Sequence, residues 1–134
     1  MIKIIIIDDS IMIGKRLSSM LNDIDGVVLA GQATCAREGL ELVRATRPDF
    51  IVLDINLPDV SGLEIIAEIK NIDPEITIAM LTNYPYTAYR KRSMDLGADY
   101  FFDKSKEFGK LIETLTDLAR NKDKRSSNDR NSEC

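Results

Sequence analysis

The chain has 134 residues, of which 44% are hydrophobic and 30% charged, so it can bury the core of one globular domain. Its formal net charge is −4, the excess acid lies in residues 1–119, and an acidic body of this kind argues against direct binding of nucleic acid. There is no histidine, which excludes histidine catalysis, histidine metal ligands and a phosphohistidine carried by this chain.

Ile2 to Ile7 reads as a buried strand that ends at Asp8-Asp9. The apolar run is too short for a signal-peptide core or a membrane span, so no membrane association is expected. Ser10 can cap a helix carrying Ile13, Leu17, Met20, Leu21 and Ile24, and Asp25-Gly26 stops it. Val27 to Ala33 is a second strand. Thr34 is then expected to cap a helix with Ala36, Leu40 and Val43 on one face, ended by Arg47-Pro48. Cys35 and Cys134 are too isolated for a disulfide framework or a thiolate metal cluster, so the expected compartment is the cytoplasm.

Ile51-Val52-Leu53-Asp54 is an apolar run ending on a carboxylate. Ser61-Gly62-Leu63-Glu64 has capping-box spacing and opens a helix bearing Leu63, Ile66, Ala67 and Ile69. Ile76 to Leu81 is a fourth strand, ending on Thr82. Pro85 suits the first turn of the next helix, which carries Tyr86, Tyr89 and the basic run Arg90-Lys91-Arg92 before a stop at Gly97. Tyr84, Tyr86 and Tyr89 fit either ordinary packing or a partner-docking surface. Tyr100-Phe101-Phe102 is a short fifth strand leading to Asp103-Lys104-Ser105, and Phe108, Leu111, Ile112, Leu115 and Leu118 mark the last helix. Residues 122–134 lose the apolar pattern and are expected to form a disordered polar tail behind a domain spanning 1–121.

Five strands alternating with five helices predict right-handed crossovers and a parallel sheet covered on both faces, an α/β fold. In that arrangement every strand delivers its carboxyl end to one edge, where such sheets bind ligands. Asp8, Asp9, Asp54, Thr82 and Lys104 therefore meet there. Singly they could be turn or cap acids, a satisfied hydroxyl and a solvated cation; together they predict a site. Converging carboxylates repel by several kcal/mol, roughly 4 for two charges 4 Å apart at an effective dielectric near 20, so they call for a cation. With only oxygen donors the choice falls on Mg²⁺, which leaves room for phosphate oxygens, while Lys104 and Thr82 are groups suited to holding those oxygens.

Asp8-Asp9, Asp54 in Asp54-Ile55-Asn56-Leu57-Pro58 with Gly62, Thr82 and Lys104 resemble the receiver domain of bacterial two-component response regulators, over residues 1–121. The resemblance implies a flavodoxin-like, doubly wound five-stranded sheet of order 2-1-3-4-5. It implies that Asp54 is the phosphoacceptor, that Asp9, Asp54 and the Asn56 backbone carbonyl hold Mg²⁺ directly, and that Asp8 acts through water. Lys104 pairs with Asp54 and then with the acyl phosphate, Thr82 bonds a phosphoryl oxygen, and Phe101 sits at the family's aromatic switch position, turning inward as Thr82 is drawn to the phosphate. Asn83 and Ser105 depart from the family's usual small residue and proline, which leaves open the isomer of the Lys104–Ser105 bond.

The expected function is a switch phosphorylated by a partner sensor histidine kinase or phosphotransfer protein, assisting its own phosphorylation and dephosphorylation, and signalling by changed binding to a downstream protein, as a monomer or a phosphorylation-dependent dimer. Two alternatives are the receiver portion of a longer DNA-binding response regulator and a haloacid-dehalogenase-like phosphohydrolase, whose Asp-x-Asp motif is broken here by Asn56.

Overall fold

The structure is a computed structural model that describes the backbone of residues 1–132 and the side chains of residues 1–121. Strands and helices alternate as β1 (Ile2–Ile7), α1 (Ile11–Leu21), β2 (Val27–Ala33), α2 (Ala36–Thr46), β3 (Phe50–Leu53), α3 (Gly62–Ile72), β4 (Thr77–Thr82), α4 (Thr87–Leu96), β5 (Tyr100–Asp103) and α5 (Phe108–Ser132). All strand pairs are parallel, in the order β2-β1-β3-β4-β5. This is the expected doubly wound topology. None of the described helices is long and apolar enough to cross a membrane.

Alternate side chains of the central strands feed two separate cores, as the twofold period of a strand requires. Ile5, Ile7, Ile51, Leu53, Ile78 and Met80 pack with Val43 of α2 and Ile66 and Ile69 of α3. Ile4, Ile6, Phe50, Val52, Ala79 and Leu81 pack on the other face with Leu17 of α1 and Leu111 and Leu115 of α5. Because β3 is buried on both faces, every residue of it is apolar.

Several helix starts and buried faces differ from what the sequence predicts. Ser10 caps α1 through its hydroxyl, accepting from the Ile13 N–H. Thr34, however, does not cap α2. Its N-cap residue is Cys35, which makes no side-chain capping bond; the Asp59 carboxylate, from the loop after β3, accepts from the N–H groups of Ala36 at 2.8 Å and Arg37 at 2.9 Å. Ser61 caps α3 by accepting from Leu63 N–H, but Ala67 of that helix faces outward while Ile65 takes the buried place. Helix α4 starts at Thr87, so Pro85 precedes the N-cap, Tyr86, and only Ser93 of the helix is buried. The backbone of α5 is helical through Ser132, although its apolar face ends at Ala119. The side chains of 122–132 and the last two residues lie outside the described residues, and the expectation of a polar tail falls on them.

Gly62 opens α3 against the backbone of Asp54: a Cβ there would collide with the Asp54 carbonyl oxygen, and Gly62 N–H donates to Ile55 O at 2.7 Å. Gly109, in the first turn of α5, has nothing near its missing Cβ. The two positions predict opposite effects. Gly62→Ala should lower unfolding free energy by about 2 kcal/mol or more through overpacking, whereas Gly109→Ala should raise it by up to about 1 kcal/mol through helix propensity, both read by denaturant unfolding.

Candidate functional site

The parallel register explains how the polar residues converge. Ile7 of β1 aligns with Leu53 of β3, so Asp8 and Asp54 are the next residues beyond two paired strand ends, and Asp54 N–H continues the ladder to Ile7 O at 3.0 Å. On the far side Thr82 aligns with Asp103, and Lys104 N–H donates to Thr82 O at 2.8 Å. Asp54 thus stands just past its strand.

Lys104 crosses this edge to reach the acids. Its ammonium lies 2.7 Å from Asp8 Oδ2 and 3.1 Å from Asp54 Oδ2, and all three side chains are buried. The contact with Asp54 has hydrogen-bond geometry. The shorter one with Asp8 does not, so Asp8 Oδ2 is an ion-pair partner without a well-aligned donor, while Asp8 Oδ1 accepts from Ser10 N–H at 2.8 Å. Asp54 Oδ1 receives only a long bond, 3.4 Å, from Asn56 N–H. Asp9 is exposed.

Carboxylate oxygens of Asp8, Asp9 and Asp54 all lie within 4.8 Å of one another. One ammonium against three carboxylates leaves two negative charges, the deficit a divalent cation would cancel. Oxygen-only donors, one of them a buried oxygen short of a donor, suit a hard cation such as Mg²⁺. The residues therefore fit a metal.

Thr82 is fully buried, and its hydroxyl oxygen accepts from Tyr84 N–H at 3.0 Å; among the described contacts it donates none. Phe101, expected to turn inward on activation, is buried, at 5% exposure. The Arg90 guanidinium covers it, 4.9 Å from the ring centroid, and reaches 3.9 Å from Glu107 Oε1. With no hydroxyl to satisfy, the phenyl ring can be buried under that cation without cost to a polar group. Glu107 in turn accepts from Asp103 N–H at 3.1 Å. Arg90 and Glu107 carry no periodic or motif signal, so only the folded chain relates them to the site. Ser105 donates both its N–H and its hydroxyl to Asp103 Oδ1, closing the turn after Lys104, and the described residues contain no cis peptide bond, Lys104–Ser105 included. Asn83 is exposed.

Burial, and then the nearby Asp8 charge, raise the pKa of Asp54 by more than the Lys104 charge and bond and the Asn56 N–H lower it. Burial alone would depress the Lys104 ammonium, but its close contact with the Asp8 carboxylate and its bond and charge with Asp54 outweigh that and hold its pKa above the usual lysine value. A carboxyl whose folded pKa is raised binds protons more readily when folded. Its contribution to stability therefore falls as pH rises from the ordinary value of 3.8 through the raised one. Without metal, Asp54→Asn should unfold at a higher temperature than the parent at pH 7. The difference should shrink as pH drops below 3.8, as thermal melts across pH would show.

Residues 4–116 match the family described as response regulator receiver domain. The chain is 28% identical over 115 residues to the response regulator GacA of Pseudomonas aeruginosa, covering 86% of this chain and 54% of that protein. It therefore spans about half the length of the curated relatives it matches first. It is 27% identical over 118 residues to the chemotaxis protein CheY of Thermotoga maritima, covering 88% of this chain and 98% of that one. Among solved structures it resembles a response regulator protein from Burkholderia pseudomallei, with a phosphorylated aspartic acid, calcium ion and citrate. That likeness has a TM-score of 0.78 and 26% identity, and covers 96% of this chain and 75% of the other. With the sheet order, the convergent acids and the matched span in agreement, this chain belongs to the response regulator receiver domain family.

Proposed function

We propose that the chain is a phosphorylation-activated switch in which Asp54 accepts a phosphoryl group from a phosphohistidine on a sensor histidine kinase or phosphotransfer protein. The observation that carries this reading is the asymmetry of the Asp54 carboxylate. Oδ2 is anchored by Lys104, while Oδ1, with only the long Asn56 contact, keeps lone pairs for attack. As Oδ1 bonds to phosphorus, the N–P bond of the donor breaks and its electron pair returns to the imidazole, which takes up a proton. The absence of histidine from this chain fits a donor acting in trans.

Asp9, Asp54 and the Asn56 carbonyl would hold Mg²⁺, with Asp8 acting through water. When bound, that ion supplies neutralisation of the phosphoryl oxygens as charge gathers there. Lys104 stays paired with the acyl phosphate once Asp54 is phosphorylated. Thr82, whose hydroxyl donates to no described group, turns its proton to a phosphoryl oxygen. The structured path from Lys104 through Asp103 N–H, Glu107 and Arg90 then connects the site to α4. A shift in population among α4 arrangements changes the surface offered to a downstream protein.

The match to the Thermotoga chemotaxis protein over 98% of that protein's length supports reading this region as a receiver-type switch, and the changed binding it would drive is to a downstream protein. The phosphohydrolase alternative is not favoured, since the family match and the sheet order both point to a receiver.

Incubation with Mg²⁺ and a small acyl-phosphate donor should add one phosphoryl group, read by intact mass, and the adduct should vanish with Asp54→Ala or on chelation. An adduct that survives Asp54→Ala, or steady turnover of phosphate esters, would overturn the reading.

A further inference from the structure

The loop from Asp54 to Ser61 carries both the proposed phosphoacceptor and Asn56, yet Asn56, Pro58, Asp59 and Val60 are exposed, so burial does little to hold it. Three attachments do. At its start Asp54 is bound to Ile7 O and Lys104; at its end Gly62 is pressed on the Asp54 carbonyl and bonded to Ile55 O. At its tip both oxygens of Asp59 are taken by the first two N–H groups of α2.

That last attachment joins the loop to a different βα unit. Helix α2 has no side-chain cap of its own, since Cys35 makes none, and its unpaired N–H groups and positive dipole end bind an anion well. These two bonds hold the Asp59 pKa down at about 2, so the tether stays charged across the whole range in which a receiver works.

We infer that Asp59 is a positioning residue for the phosphoacceptor loop: by clamping the loop tip to the N-terminus of α2 it holds Asp54 and the Asn56 carbonyl in place for the cation. Asp59 touches neither cation nor phosphoryl group in this account, which rests on the phosphoacceptor reading above. A cap that only stabilised α2 would be replaceable from α2's own side, because Cys35 has the extended backbone of an N-cap residue, φ −146° and ψ 166°. A tether would not be replaceable in that way.

The test compares the full chain with Asp59→Ala and with Asp59→Ala combined with Cys35→Asp, measuring melting temperature without metal and Mg²⁺ affinity by calorimetry well below every melt. Asp59→Ala should lower the melting temperature by a few degrees, and Cys35→Asp should return it by capping α2 locally. Mg²⁺ binding should weaken about three- to tenfold in Asp59→Ala, in keeping with loss of an outer support of a metal site, and should stay weak in the double variant. Affinity within about twofold of the parent in Asp59→Ala, or affinity that returns with the melting temperature in the double variant, would overturn the inference while leaving the phosphoacceptor reading intact. A parent chain that binds no Mg²⁺ would overturn both.

Discussion

The repulsion among Asp8, Asp9 and Asp54 is the constraint on which the site depends. Three carboxylates whose oxygens approach within 4.8 Å are held at the sheet edge by backbone ladders that were built for other reasons, and Lys104 neutralises only part of their charge. A fold that tolerates such a cluster without cation must absorb an unfavourable term; in the raised pKa of Asp54 burial is the larger cause and the neighbouring Asp8 charge adds to it. The same term becomes favourable once positive charge arrives. The charge crowding of Asp8 and Asp54 therefore contributes both to the unfavourable term and to the attraction for a divalent ion.

Parallel strands make this cluster almost unavoidable given the sequence. With Ile7 beside Leu53 and Thr82 beside Asp103, the residues that follow each strand must converge, and the apolar runs leave no freedom in which residue comes last. That is why Asp8, Asp54, Thr82 and Lys104 were legible from strand-like runs ending on polar residues, and why the alternation of elements gave the fold class. Features set by tertiary contact were not legible. Asp59 caps a helix that begins 23 positions earlier, so no local spacing announces it, and the nearer Thr34 was the natural but mistaken choice. The outward turn of Ala67 in favour of Ile65 likewise depends on which face of α3 meets the sheet.

The aromatic switch position shows the limit of reading one residue at a time. From sequence, Phe101 is a ring expected to turn inward as Thr82 is drawn to a phosphate; in the structure it is buried beneath Arg90, which lies 3.9 Å from Glu107, the residue before α5. A cation over the ring stabilises the buried position. Helix α4 has Ser93 as its only buried side chain, and its Arg90 links it to Phe101 and Glu107.

The most direct test of this electrostatic account is the melting temperature as a function of free Mg²⁺, in the parent chain and in Asp9→Asn. The account predicts that the parent melts progressively higher as Mg²⁺ rises, by mass action on the folded state, and that removing the exposed member of the acidic trio displaces this rise to higher Mg²⁺. A parent melting temperature indifferent to Mg²⁺ would contradict it, because three converging carboxylates beside one lysine would then be satisfied without a cation.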